Sequence, residues 1–400
     1  MTRYNFDKIT NRKGTNCLKY DFAVERGKPA DVLPLWVADM DFPVSEEITK
    51  SLHAAVEHGI YGYSQPKDAY YNAVMNWMER NHNWKTEREW IVKTPGVVFA
   101  LGAAVKAFTD PGDAILIQNP VYYPFTNIIR DNDRRVVDNT LIYEKTAGQS
   151  GDNGYRIDFE DFERKLEQEH IKLFILCNPH NPVGRVWTVE ELQQLGEICL
   201  RHHVIVVSDE IHNDFVYPGY EHTVFATVDP RFAEFTVTCT APSKTFNLAG
   251  LQISNIFIPN EKLRKAFQTE IDKTGYDEPN ALGIVACEAA YRAGEDWLDQ
   301  LRAYLLKNLN FLRNFLQEKI PQIHLVEPEG TYLVWLDCSE LGITGKELDQ
   351  FIVDKAGLWL DGGSMFGPSG AAFQRVNIAC PRATLQLALD KLKTAIDGLK

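Results

Sequence analysis

Four short segments of this chain offer side chains that could run a reaction, and each directly follows an apolar run. Asn178 and Asn181 follow Lys172–Cys177 (KLFILC), and Asp209 and His212 follow Val204–Ser208 (VIVVS). Ser243 and Lys244 follow Phe235–Thr240 (FTVTCT), and Tyr122 and Tyr123 follow Ala114–Gln118 (AILIQ). An amine, a carboxylate, an amide and an aromatic face are thereby presented together. Pyridoxal phosphate needs that set: an amine for a Schiff base, a carboxylate to keep its ring nitrogen protonated, a donor to its phenolic oxygen and a flat face against its ring. Its phosphate needs amides. Gly96, after Thr94-Pro95, opens a helical stretch to Thr109, where free backbone N–H groups suit an anion.

Those residues need a scaffold that gathers strand ends at one rim. The runs named above, with Ile253–Ile258 (ISNIFI), are continuous, short and rich in Val and Ile, as in strands buried on both faces. Between two of them, Thr188–His203 carries Thr188 and Glu191 at capping-box spacing and Leu192, Leu195 and Cys199 on one face. Strands alternating with helices predict an α/β fold: a mostly parallel sheet flanked by helices, whose ligand sits beyond the strands' carboxyl ends. Farther on, Leu298–Lys319 reads as a long polar-rich helix. Thr331–Cys338 and Phe373–Cys380 alternate like half-exposed antiparallel strands. The expected organisation is an irregular arm over 1–45 packing with the small domain, a large cofactor-binding domain over 46–289, and a smaller α+β domain over 290–400.

Composition narrows the partners. The chain has 400 residues, 44% of them apolar, and 42 Lys and Arg against 55 Asp and Glu give a net charge of −13. Such a surface repels phosphate backbones and anionic lipid, so a small molecule is expected rather than nucleic acid or a membrane. Seven cysteines never form CxxC, and no His cluster has ligand spacing. Neither a disulfide framework nor a metal site is expected, and a reducing cytoplasm fits. The first residues, MTRYNFDKIT, contain no apolar signal segment. His180, His202 and His203 have no partner spacing that supports metal or acid–base work. The glycine-rich run Asp361–Gly370 (DGGSMFGPSG) lacks phosphate-loop spacing and reads as a shaped loop near the carboxylate pocket.

The chain resembles the fold-type-I, aspartate-aminotransferase-like superfamily of pyridoxal-phosphate enzymes. Within it, the chain is similar to the cystathionine β-lyase (C–S lyase) branch typified by the MalY and PatB proteins. The resemblance is carried in order by WVADMDFPV (36–44), YGYS (61–64), TPGVV (94–98), NPVYYPF (119–125), CNPHNPVGR (177–185), SDEIHNDF (208–215), APSKTFNLAGLQ (241–252) and FQRVNIACPR (373–382). It implies a seven-stranded sheet in the large domain, and that Lys244 carries the Schiff base and later moves the Cα proton. Asp209 would face the ring nitrogen, Asn181 the phenolic oxygen, and Tyr122 the ring. Val97, Val98 and Ser243, beside Gly96, would hold the phosphate, with Tyr63 reaching it from the second subunit of a homodimer. Arg375, helped by the backbone near Ala38, would grip the substrate carboxylate. By position alone, rather than by the resemblance, Tyr123 or Tyr122 is expected to assist the leaving group.

Two positions depart from the aminotransferase pattern. Gln252 stands where many aminotransferases place an Arg on the phosphate, and His212 where they usually place Tyr, near the cofactor; both are similar to the lyase branch. The implied reaction is α,β-elimination on cystathionine or another S-substituted cysteine. The alternatives are an aminotransferase acting on an amino acid, and a non-catalytic regulator on the same fold. Regulators of that type carry a basic DNA-binding domain ahead of the cofactor domain, for which 45 acidic-chain residues are too few. Singly, each residue has a structural reading: a loop lysine, a helix-capping Asp209, turn-forming Asn178 and Asn181, a surface Arg375. Their agreement at four strand ends carries the functional reading.

Overall fold

The computed structural model describes residues 4–145 and 153–399. Strands β1 (Ile91–Thr94), β2 (Ala114–Ile117), β3 (Arg135–Asp138), β4 (Leu173–Cys177), β5 (Ile205–Asp209), β6 (Thr236–Thr240) and β7 (Ser254–Phe257) form one sheet in the order β1-β7-β6-β5-β4-β2-β3. The five from β6 to β3 run parallel, while β7 is antiparallel to both neighbours. The expected mostly parallel sheet is present, with one departure inside it. Only a short helix, Pro242–Thr245, and a single 3-10 turn separate β6 from β7. That is too little chain for a helical crossover, so the strand returns antiparallel. Two reversals leave β1 parallel to β6, which brings the carboxyl end of β1, and hence Gly96, to the rim where β4, β5 and β6 end.

Every residue of β2, β4, β6 and β7 is buried, in keeping with continuous apolar runs sandwiched by helices. One face packs against the helix Val97–Phe108 and the other against Val189–Arg201. The latter starts on the expected capping box: Thr188 Oγ1 accepts from Glu191 N at 3.2 Å, and Glu191 Oε2 accepts from Thr188 N at 2.9 Å. Leu192, Leu195 and Cys199 are fully buried.

A second sheet, β8 (His324–Val326), β9 (Leu333–Asp337), β10 (Asp361–Gly362) and β11 (Phe373–Asn377), is antiparallel throughout, in the order β8-β9-β11-β10. Here the half-exposed expectation is corrected, because β9 and β11 are buried along their whole length. Trp335 and Phe373 join the apolar cluster of Phe174 and Leu176. Val334 and Val376, paired directly across the two strands, belong to the same apolar cluster as Leu385 and Leu389 of the helix Arg382–Asp397. The polar residues alternating with them are satisfied internally. Gln374 donates to Asp349 Oδ1 at 2.7 Å, and Asn377 Nδ2 donates to the carbonyls of Val37 and Asp39 at 2.6 and 2.8 Å. The segment Leu33–Pro34 adds a short parallel pair with Leu358–Trp359, and Asp41 N donates to Ala379 O. The stretch from Trp36 to Asp41 is thus tied to the second sheet and passes over the rim of the first.

Candidate active site

A cavity opens at that rim, lined by Ala38, Gly96, Val97, Val98, Tyr122, Cys177, Asn181, Asp209, His212, Ser243 and Lys244, among others. Register explains the convergence: Asp209 pairs with Cys177 on one side and Cys239 on the other, so three strands end at one level. Asp209 is buried, and its Oδ1 accepts from Ile211 N at 3.2 Å. Burial pushes its carboxyl up to about 7, against the pull of that N–H and of Lys244 acting through space. No ion pair forms at Asp209 among the described residues. A carboxylate so placed is short of one cationic N–H partner.

Lys244 stands in the one-turn helix that follows β6. Burial lowers its amine to about 8, helped by the positive charge of Arg375 and opposed by Asp39 and Asp209. Asn247, three residues on, fixes this loop against the crossing segment: its Oδ1 accepts from Met40 N at 2.9 Å, and its Nδ2 donates to the carbonyls of Met40 and Phe42 at 3.0 Å each. Thr245 Oγ1 donates to the buried Asp214 at 2.6 Å. The lysine is therefore held from both sides in sequence.

The helix Val97–Phe108 begins at Gly96 with no side-chain cap and no acidic residue in its first turn. Its first amides face the cavity with the positive end of the helix dipole behind them, which is an anion seat. Thr94 Oγ1 donates to Gly96 O at 3.1 Å and shares a 2.6 Å hydrogen bond with Ser254, which fixes the turn.

Arg375 is buried on β11, registered between Trp335 and Asp361. Its Nη1 donates to Asn181 Oδ1 at 3.1 Å, and its Nη2 donates to Trp36 O at 2.9 Å and to Asp361 Oδ2. With Oδ1 engaged, Asn181 has its NH2 group left to donate to a ligand oxygen. His212 is buried, burial and the nearby cations hold it neutral, and its Nδ1 has no partner among the described residues. Tyr122 lines the cavity with its hydroxyl pushed up by burial.

The residues fit pyridoxal phosphate. The test is chemical: a buried carboxylate without a cation, an amide NH2, an uncapped helix start and an amine that titrates near neutrality share one cavity. Of the sequence-predicted residues, Ala38, Gly96, Val97, Val98, Tyr122, Asn181, Asp209, His212, Ser243 and Lys244 come together. Arg375 joins them through Asn181. Tyr123 lies beside Tyr122, ring centroids 5.5 Å apart, but packs on Phe366 rather than lining the cavity. Tyr63 is 95% exposed and outside it. Gln252 is exposed and also outside, so no cation replaces the aminotransferase Arg there. Sequence reasoning missed Asn247, Asp361 and Cys177. All three lie inside stretches quoted above without a role of their own, and Asn247 and Asp361 act through partners more than a dozen residues away.

Residues 30–392 match the family described as aminotransferase class I and II. The chain is 46% identical over 392 residues to the cystathionine β-lyase PatB of Bacillus subtilis, covering 98% of this chain and all of that one. Among solved structures it is similar to cystalysin from Treponema denticola, which contains a pyridoxal 5′-phosphate cofactor; identity is 38%, the TM-score is 0.95 and both chains are covered completely. It is also similar to the PLP-bound C–S lyase of Staphylococcus hominis, at 35% identity and TM-score 0.91, covering 99% of this chain and 98% of that one.

Proposed function

Because the chain belongs to the class I and II aminotransferase family, in its cystathionine β-lyase branch, we infer that it is a pyridoxal-phosphate-dependent carbon–sulfur β-lyase. It cleaves cystathionine or a related S-substituted cysteine, with water, to a thiol, pyruvate and ammonia. The observation that carries this function is the end-to-end 46% identity with a cystathionine β-lyase.

With the cofactor bound, the chemistry it supplies is an aldehyde for the substrate amine and a conjugated ring that takes up the electron pair left at Cα. The protein does the rest. Lys244 would be the attachment point, and its free amine would take the Cα proton. Asp209 would keep the ring nitrogen protonated. Asn181 would donate to the phenolic oxygen, and Tyr122 and His212 would bound the ring. The amides of Val97 and Val98 and the Ser243 hydroxyl would hold the phosphate. Arg375 fixes the substrate carboxylate, with the Ala38 segment over it, so that the Cα–H bond and the C–S bond are oriented for loss in turn. The test is to supply L-cystathionine without any keto acid. Sustained pyruvate formation is expected; turnover that strictly requires a keto acid would indicate a transaminase instead.

We further propose a homodimer, in the cytoplasm. Val56, Ile60, Tyr61 and Tyr63 expose 50, 74, 60 and 95% of their surface on one stretch, and Val98 at the cavity mouth exposes 44%. An apolar strip of this kind marks an interface. Tyr63 then reaches the other subunit's phosphate seat. All seven cysteines are free thiols, as in a reducing compartment. Sedimentation should give twice the 45.5 kDa chain mass. Tyr63→Phe should weaken cofactor binding by roughly tenfold or more, for one hydrogen bond to a charged group; unchanged affinity removes Tyr63 from the site.

A further inference from the structure

The buried ion pair between Arg375 and Asp361 has a consequence for the substrate carboxylate. A guanidinium grips a carboxylate bidentately through two adjacent N–H groups, and both such edges of the fork include Nη2. The two hydrogens of Arg375 Nη2 are already committed, one to Trp36 O and one to Asp361 Oδ2. Nη1 is held by Asn181, and Nε is buried without a partner. The carbonyl of Trp36 belongs to the tied-down segment. Asp361 is the partner that can yield.

We propose that Asp361 is an internal competitor for Arg375, and that a substrate carboxylate takes its Nη2 hydrogen bond while Asp361 binds one proton from solvent. The inference rests on the reading of Arg375 as the carboxylate anchor. The surroundings make the proton uptake necessary. Asp361 is 3% exposed and has no second cation within ion-pair distance among the described residues. Asp349, on the helix Gly345–Asp354, packs directly on Gly362, the residue after Asp361, and adds a second negative charge. The remaining titratable neighbours are Tyr122 and Tyr123, whose hydroxyls burial keeps protonated. Burial already holds the Asp361 carboxyl above the usual range even with Arg375 beside it. Placing a third carboxylate there raises it further, so over the pH interval between its free and occupied values binding consumes a proton. Affinity for carboxylates must then fall as pH rises through that interval.

The probe is 3-(methylthio)propanoate, which has the carboxylate and the thioether but no amine to react. Its competitive inhibition constant against an S-substituted cysteine is measured across pH on holoenzyme. For the native enzyme it should rise with pH, approaching tenfold per unit. In Asp361→Asn, which keeps the shape and loses the charge, it should be flat over the same range and about tenfold lower at the alkaline end. A native constant that does not vary with pH, or an Asn variant that matches the native profile, overturns the proposal. Calorimetry of the native enzyme in buffers of different ionisation enthalpy needs no variant. Uptake near one proton per ligand supports the competition, and none overturns it. Arg375→Lys separates the premise: a rise of about tenfold or more in the constant keeps Arg375 as anchor, whereas no change overturns that reading and the competition with it.

Discussion

Lys244→Ala should purify without the visible absorption band of the holoenzyme and form no measurable pyruvate from L-cystathionine. Two losses combine in that variant. In the proposed roles, the variant would lack both the amine that tethers the cofactor and the base that removes the Cα proton, the latter worth roughly 10²–10⁴ in rate by itself. The native amine is suited to both because burial lowers it to about 8. Near neutrality a useful fraction is unprotonated and nucleophilic, whereas an exposed lysine would be almost wholly ammonium. Lys244→Arg separates charge from basicity. It keeps a cation beside Asp209, so the local field is preserved, yet a guanidinium cannot shed its proton at working pH. It should be as inactive as the alanine variant while retaining more of the folded stability. Absorption spectra and steady-state rates on the same preparations decide it, and a pure Ala variant with an unchanged spectrum would remove Lys244 from its role.

The parts of this site that could be read from sequence are those fixed by local order. A strand end places the next few residues at the rim regardless of what lies elsewhere, so Asn181, Asp209, Ser243 and Lys244 were legible from the runs before them. Gly96 was legible for the same reason, since the start of a helix announces its own free amides. The contacts that set the chemistry of these groups were not. Whether β11 shows its polar residues to water or to the interior depends on what packs against its second face. The apolar/polar alternation of Phe373–Asn377 is the same in either case. The structure covers both faces, so Arg375 turns to Asn181 at the cavity, Asn377 to the crossing segment and Gln374 to Asp349 on the helix Gly345–Asp354, rather than to solvent. The return of β7 was hidden likewise: ISNIFI reads as a buried strand, and its direction is set by the short link before it. Asp361 reads from sequence as the start of a shaped loop near the carboxylate pocket; its own role was hidden because it lies in the cross-strand register with Arg375.

Arg375→Ala carries the second large effect, and it should divide into two parts that respond to different changes. The guanidinium is 3% exposed and engages Asp361, Trp36 O and Asn181. If Arg375 is the carboxylate anchor proposed above, its removal should raise KM by an amount corresponding to roughly 2–5 kcal/mol, with a smaller loss in kcat as Asn181 loses its fixing contact. It also leaves the Asp361 carboxylate buried without a cation, a cost of about 3–5 kcal/mol in folding stability when one member of a buried pair is deleted. The two costs are separable because only one involves Asp361. In the double variant Arg375→Ala/Asp361→Asn the orphaned charge is gone, so thermal or denaturant stability should recover most of its loss while KM stays high. Were KM to recover along with stability, the single variant's defect would be one of folding, and the carboxylate would have its anchor elsewhere. If stability instead failed to recover, the ion pair would not be what holds β10 to β11, and the Asp349–Gln374 contact beside it would have to carry that edge.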